Sequence, residues 1–173
     1  MAQAAAGRPL WHSVPDEVWE DAQKRFRTEI GAWKRGERVM VIAQLSVEVG
    51  KGQASAQVTD LALMHISERW IPLDSDYEST LEKRLTAAGR SFEKPLRYDA
   101  AEGEFFPDFW LLDMKDDFPL EVFGMSTPGY LAQKARKTQW YNRVYGPLGW
   151  WNWDATHDSK GSQIPVLPEI RRR

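Results

Sequence analysis

Two stretches decide the fold of this chain: F-P-D-F-W-L at residues 106–111 and L-E-V-F-G at residues 120–124. Each places one carboxylate, Asp108 or Glu121, among the apolar and aromatic residues that are typical of buried β-strands. Two buried carboxylates repel each other and lose their hydration, and both effects cost free energy. A divalent cation would offset both costs. The pair therefore predicts a metal site for Mg²⁺, with Mn²⁺ as an alternative.

Around these stretches the sequence predicts a helix, three strands, a second helix and a last strand. The D-S-D cluster at residues 74–76 suits a helix N-terminus, and Pro128 suits the first turn of the second helix. This order indicates an α/β domain with a small mixed sheet and a helix on each side. The predicted elements are a helix over 74–89, strands over 92–98, 105–112 and 120–123, a helix over 127–145 and a strand over 149–153.

The first third of the chain has a different pattern, in which a helical apolar period is followed by β-branched runs. The chain is therefore expected to divide into an N-terminal helix-and-hairpin extension, residues 1–72, and the α/β domain with a polar tail, residues 73–173. The prediction for the extension is a flexible lead over 1–14, one helix from Asp16 to the glycines within 31–36, and a hairpin of strands 39–49 and 54–63.

Composition narrows the class of protein. Of the 173 residues, 42% are hydrophobic and 28% are charged, which is typical of a globular domain. The chain has no cysteine, so disulfides, thiolate catalysis and cysteine-bound zinc are excluded. No apolar run reaches the roughly 20 residues of a membrane helix, and the first residues do not resemble a signal peptide. A cytoplasmic protein without a membrane partner is expected.

These residues resemble the PD-(D/E)XK, or restriction-endonuclease-like, nuclease superfamily. Pro107-Asp108 stands at the superfamily's Pro-Asp, and Glu121-Val122 stands at its second acidic position. The resemblance covers roughly residues 75–153 and leaves the N-terminal third outside. It implies a nuclease that hydrolyses DNA phosphodiester bonds with Mg²⁺, and RNA is left open as a substrate.

The resemblance also implies site residues. Asp108 and Glu121 would be metal ligands, and the Val122 carbonyl would be a third. The superfamily often has a glutamate on its first helix that contributes to the metal site, and Glu78 stands at that place. Glu82 fits the role less well, because it lies farther from the apolar stripe of that helix.

The departure from the pattern is Phe123, which occupies the place of the motif lysine. Some members of the superfamily carry the basic residue on the following helix instead. In this chain Tyr130, Lys134, Lys137 and Tyr141 are spaced by four, three and four residues and therefore share one helical face. Lys137 is the first choice for the migrated catalytic lysine and Lys134 is the second.

A second resemblance concerns E-V-F-G-M at residues 121–125 and W-W-N-W-D-A at residues 150–155. They resemble an uncharacterised bacterial family that is found on integrative and conjugative elements. Because Phe123 replaces the lysine, the alternative is a catalytically degenerate nuclease fold that binds nucleic acid or a partner protein. The basic residues that could contact phosphates are Arg84, Arg90, Lys94, Arg97, Arg136 and Arg143.

Overall fold

The computed structural model describes residues 12–49, 54–96, 105–158 and 160–170. Within these ranges, four helices and seven strands form a mixed α/β structure with two small sheets. The chain divides into two compact units, Met1–Pro72 and Leu73–Arg173. None of the helices in the described ranges combines the length and the apolar character needed to cross a membrane.

The first unit contains a three-stranded sheet and two helices. Its sheet has the order β1-β3-β2, in which β1 is parallel to β3 and β2 is antiparallel to it. The expectation of a flexible lead over residues 1–14 is wrong at His12–Ser13, because these residues pair with β3; residues 1–11 lie outside the described ranges. The elements are β1 His12–Ser13, α1 Asp16–Arg25, α2 Arg27–Lys34, β2 Arg38–Val49 and β3 Ala54–Ile66.

The single N-terminal helix predicted from the sequence is also wrong, because the chain breaks at Phe26 into α1 and α2. Phe26 leaves helical geometry, with φ −115° and ψ 48°, and its side chain packs against a buried cluster. The turn lets both helices contribute to one core over β3, which offsets the interrupted helix. The buried members of this cluster are Ala22, Ile30, Val58, Leu61 and Leu63.

The second unit has the element order that the sequence predicts: a helix, three strands, a helix and a strand. Its sheet has the order β4-β5-β6-β7, with antiparallel pairs except for the parallel pair β6–β7. The strands β4 and β5 are shorter than predicted, and residues 97–104 lie outside the described ranges. The elements are α3 Asp76–Ala87, β4 Phe92–Glu93, β5 Phe109–Leu111, β6 Phe118–Phe123, α4 Pro128–Tyr145 and β7 Trp151–Asp154.

Two features of the second unit position the candidate site. Every residue of β6 is buried, so Glu121 points its carboxylate into a protected interior. The helix α3 begins at its N-cap Ser75, whose hydroxyl accepts a hydrogen bond from the Glu78 N–H at 3.2 Å.

The tryptophans at residues 150, 151 and 153 are buried, and they pack in the core as expected from their partial alternation.

Candidate active site

A cavity of about 430 Å³ lies in the second unit. Residues from α3, β6 and α4 line it, together with Asp108 just before β5. We call this cavity the acidic pocket. Within the described ranges, its charged lining residues are Asp74, Glu78, Asp108, Glu121, Lys134 and Lys137. Together with Val122, these include every site residue that the sequence singled out, so the structure brings all of them to one cavity.

Asp108 is held against β6 by its backbone and by its side chain. Its N–H donates to the Leu120 carbonyl at 3.0 Å, and its Oδ2 accepts from the Val122 N–H at 2.7 Å. The sequence placed Asp108 inside a strand, whereas the structure places it immediately before β5. Because Pro107 precedes it and has no N–H, regular pairing begins only after this point. Val122, predicted to offer its carbonyl to a metal, also orients Asp108 through its N–H.

The pKa of Asp108 is raised, first by burial and then by neighbouring carboxylates. Burial, together with the nearby carboxylates of Glu121 and Glu78, raises the pKa of Asp108 to about 8. The Val122 N–H bond and the Lys137 ammonium act in the opposite direction but do not offset these effects. The surroundings of Asp108 therefore disfavour its ionised form.

Glu121 is the best-supported carboxylate in the acidic pocket. Its Oε1 accepts from the Lys137 Nζ at 2.5 Å, and its Oε2 accepts from the Tyr141 hydroxyl at 3.0 Å. Burial and the charge of Glu121 raise the pKa of Tyr141, so its hydroxyl stays protonated and remains a donor. Lys137 also lies 3.4 Å from the Phe106 carbonyl. Glu121 is thus fixed by two residues of α4 that stand one helical turn apart.

The two candidate lysines have different partners. Lys137 reaches Glu121, whereas Lys134 bonds Asp154 Oδ2 at 2.5 Å. The hydrogen bond from Lys134, followed by those from Thr156, lowers the pKa of Asp154 to about 2. Lys137 is therefore the lysine that the structure places at the central carboxylates.

Phe123, at the place of the motif lysine, belongs to the core. It is 1% exposed and packs in one cluster with Tyr141 and Trp150. The Lys134 Nζ lies 4.9 Å from the centre of the Phe123 ring, a cation–π arrangement. An ammonium group from α4 thus lies beside the aromatic ring at position 123.

Glu78 has a structural role as well as a place in the acidic pocket. It accepts a hydrogen bond from the Asp74 N–H at 3.0 Å, and it contacts the Lys94 ammonium. With the Ser75 hydroxyl on the Glu78 N–H, this resembles a capping box at the start of α3. Glu82, which was expected to fit the metal site less well than Glu78, is not among the lining residues of the acidic pocket. It is nevertheless buried, at 4% exposed, and accepts a hydrogen bond from the Thr86 hydroxyl.

Sequence reasoning gave no role in the site to several residues. Tyr130 accepts a hydrogen bond from the Gly124 N–H at 3.3 Å, and Tyr141 supports Glu121. Their helical spacing with the two lysines was the available signal. Lys94 had no such signal, because its partners Glu78 and Asp74 lie on another element.

Two of the residues predicted to contact phosphates, Arg90 and Lys94, are held by other residues in the structure. Arg90 is buried and makes two 2.7 Å hydrogen bonds to Asp113, so its phosphate role is unsupported. The Lys94 side chain is 7% exposed and is held by Glu78. Arg136 and Arg143 line a shallow surface pocket, while Arg97 lies outside the described ranges.

Comparisons with known proteins add a family. Residues 9–156 match the family described as Protein of unknown function (DUF1173). The chain belongs to this family. No curated protein and no solved structure matches it. Because the DUF1173 family has no assigned function, the chemistry of the acidic pocket is the basis for a functional proposal.

The donors in the acidic pocket of this DUF1173 member fit a hard divalent cation. Carboxylate and carbonyl oxygens are the ligands that Mg²⁺ and Mn²⁺ prefer. Asp108 and Glu121 are the two residues that would hold the ion, with Glu78 and the Val122 carbonyl as further donors. Burial and neighbouring carboxylates raise the pKa of Asp108, and a bound cation would favour its ionised form.

Proposed function

We propose that this chain is a metal-dependent nuclease that hydrolyses DNA phosphodiester bonds with Mg²⁺ or Mn²⁺ in the acidic pocket. One observation carries the proposal: Asp108, Glu121 and Lys137 meet in a single cavity, with the Lys137 ammonium on the Glu121 carboxylate. Two acids and a lysine are the set that the PD-(D/E)XK resemblance requires.

The arrangement of elements supports the same proposal. The order from α3 to β7 is that of the restriction-endonuclease-like core, and we propose this core for the second unit. The strands β5 and β6 are neighbours in its sheet; Asp108 immediately precedes β5, and Glu121 lies in β6.

Each residue has a definite task in this proposal. A bound cation would supply Lewis-acid stabilisation of the charge on the phosphoryl oxygens. Asp108 is oriented by the Val122 N–H, and Glu121 is oriented by the Tyr141 hydroxyl. Lys137 would position the attacking water or stabilise negative charge as it develops. Lys134 is the second choice, because its ammonium is bonded to Asp154.

The substrate and the biological setting rest on the resemblances. DNA is the proposed substrate, and RNA is the alternative that the same phosphodiester chemistry allows. The setting that we propose is DNA processing in a bacterial mobile element. Three described candidates for phosphate contacts remain: Arg136 and Arg143, which line a surface pocket with Trp140, and Arg84, which is exposed on α3.

A second candidate function is a non-catalytic module that binds nucleic acid or a partner protein. The burial of Phe123 favours it, because no ammonium group extends from β6 at the motif position. In this alternative, the Lys137–Glu121 pair would be a structural ion pair rather than part of a catalytic site.

Cleavage assays separate the two functions. Supercoiled plasmid, labelled single- and double-stranded DNA and labelled RNA would be incubated with Mg²⁺ or Mn²⁺ and the parent, Asp108→Ala or Glu121→Ala. Asp116→Ala is the matched control, since Asp116 is an exposed carboxylate outside the acidic pocket.

The nuclease proposal expects cleavage by the parent and by the Asp116 variant, with at least about a thousandfold loss in the two pocket variants. Cleavage that survives both pocket substitutions would overturn it. DNA binding by a parent that does not cleave would establish the binding module instead.

A further inference from the structure

The strand β2 forms the outer edge of the sheet in the first unit. It runs from Arg38 to Val49, and residues 39–47 include no charged side chain and no proline. Edge strands of monomeric proteins are commonly protected by charges, prolines or short length, because a long apolar edge pairs with other strands. This edge lacks all three protections over nine residues, which points to a pairing partner.

One face of β2 also carries an uncovered apolar strip, made of Val41, Ala43, Leu45 and Val47. The β3 residues opposite these four are buried, because α1 and α2 contribute to the core over β3. On β2 the strip stays open to solvent: Val41, Leu45 and Val47 are 57%, 43% and 59% exposed. An exposed edge and an exposed strip therefore occur on the same strand.

The sequence of β2 is nearly symmetric about Ala43. Two positions before and after it stand Val41 and Leu45, and four positions away stand two valines, Val39 and Val47. The apolar pattern on this face therefore reads the same in both directions. An antiparallel pair of identical strands centred on Ala43 would place each apolar residue opposite another.

Charge supports the same register independently. Arg38 and Glu48 stand five positions before and after Ala43, so this pairing places them opposite each other. Arg38 also bonds Glu68 within its own chain at 2.5 Å, so Glu48 of a second copy would add a second carboxylate to it. A shift of one residue would instead set Val41 and Ala43 of one copy opposite Ser46 and Gln44 of the other, both of which are polar.

We propose that β2 is a dimerisation strand, on which a second copy of this chain pairs antiparallel about a twofold axis at Ala43. The two sheets then join edge to edge, and the interface is closed because the same strand serves on both sides. Backbone hydrogen bonds provide the pairing, the apolar strips meet on one face, and the charges at the ends fix the register. This proposal is independent of the nuclease activity.

Cysteine cross-linking tests the register, because the chain contains no cysteine. In the dimer Ala43 faces Ala43 of the second copy, at a Cα separation of about 4.5–5.5 Å that a disulfide accepts. Ser46 faces Met40 instead, so two copies of residue 46 lie about 20 Å apart. The full chain with Ala43→Cys or Ser46→Cys would be oxidised mildly and separated under non-reducing conditions.

The dimer predicts rapid cross-linking of the Ala43→Cys chain and at least about tenfold slower cross-linking of the Ser46→Cys chain. Equal rates for the two would overturn the register, and they would identify unspecific edge association. No cross-linking of either would overturn the pairing itself.

Sedimentation velocity over a concentration series tests the association. Val41→Lys places two lysines in each dimer interface, and the dissociation constant should rise about a hundredfold. Met64→Lys is the matched control, because Met64 is exposed on β3 rather than on the edge strand. Circular dichroism and thermal unfolding would establish that both variants fold.

The proposal expects a dimer for the parent and for the Met64 variant and a monomer for the Val41 variant. A parent that stays monomeric at every concentration would overturn it. An equal rise in the dissociation constant for the Val41 and Met64 variants would also overturn it. So would a parent that binds a different protein through β2 but does not associate with itself.

Discussion

Two aspartates of the second unit, the half-buried Asp113 and the buried Asp108, have opposite electrostatic environments. Asp113 accepts two 2.7 Å hydrogen bonds from Arg90, and these bonds lower the pKa of Asp113. Asp108 lies in the acidic pocket, where burial and the carboxylates of Glu121 and Glu78 raise its pKa to about 8. An ionised aspartate is thus stabilised by a cationic partner at Asp113 and disfavoured by burial and by neighbouring carboxylates at Asp108.

The ion pair of Arg90 and Asp113 stabilises the fold. The buried carboxylates around Asp108 have no such structural explanation. Arg90 also donates to the Pro168 carbonyl at 2.8 Å, so it joins the strand region to the C-terminal segment. At Asp108, burial and the neighbouring carboxylates disfavour the ionised form and raise the pKa. Strongly perturbed acids in a cavity are typical of functional sites.

The largest expected change in stability follows from removing Arg90, the partner of Asp113. Arg90→Ala leaves the half-buried Asp113 without its cation, and the free energy of unfolding should fall by about 1.5–3 kcal/mol. Urea unfolding measures it, with Arg84→Ala on α3 as a control expected to change stability by less than about 0.5 kcal/mol. A loss below about 1 kcal/mol for Arg90→Ala would show that the ion pair is not structural.

The substitution Asp108→Asn is expected to raise the free energy of unfolding rather than lower it. Asp108→Asn removes a carboxyl whose ionised form is disfavoured by burial, and its amide oxygen can still accept from the Val122 N–H. The metal-free protein should therefore gain about 1–2 kcal/mol in unfolding free energy at neutral pH. The same substitution at Asp113 should destabilise. If both variants lost stability, the electrostatic environments of Asp108 and Asp113 would not be opposite.

The pH dependence of unfolding sharpens the comparison. The folded pKa of Asp108 lies above its ordinary value of 3.8, so its contribution to stability is complete below that value and is lost as pH rises towards 8. The contribution of Asp113, whose folded pKa is lowered, is present above its ordinary value and is lost as pH falls.

Relative to the parent, Asp108→Asn should therefore become more favourable as pH rises from 4 to 8, by at most about 1.4 kcal/mol per pH unit. Asp113→Asn should show no such rise over that range and should approach the parent only in acid. Urea unfolding of the metal-free proteins at several pH values measures both curves. Parallel curves would contradict the assignment of opposite shifts.

The smallest expected effect concerns Tyr141, which supports Glu121 through one hydrogen bond. Tyr141→Phe keeps the ring stacked on Trp150 at 4.9 Å and removes only the hydroxyl. Stability should change by about 1 kcal/mol or less, and cleavage should fall about three- to tenfold. Tyr145→Phe is the control, with cleavage unchanged. An identical decrease in the control would indicate loss of packing rather than of Glu121 orientation.

Local patterns in the sequence predict much of the second unit. The N-cap at Ser75 and the proline at residue 128 locate the helix starts, and the spacing of Lys137 and Tyr141 correctly puts them on one face of α4. The meeting of Asp108 and Glu121 in one cavity was expected from the resemblance, because periodicity alone does not fix which strands are neighbours.

The features that the sequence did not predict depend on contacts between distant residues. The break at Phe26 follows from packing against β3, which no helical period records. The ion pairs of Arg90 with Asp113 and of Lys94 with Glu78 join residues from different elements. A basic residue near a proposed site looks the same in sequence whether it binds phosphate or is buried in an ion pair.

The most direct test of the central claim is a calorimetric titration of the metal-free chain with Mg²⁺ and with Mn²⁺. The parent and Asp116→Asn should bind at least one of these ions, whereas Asp108→Asn and Glu121→Gln should lose at least about tenfold in affinity. If the parent bound neither ion, or if the two pocket variants bound as tightly as the parent, the acidic pocket would not be a metal site.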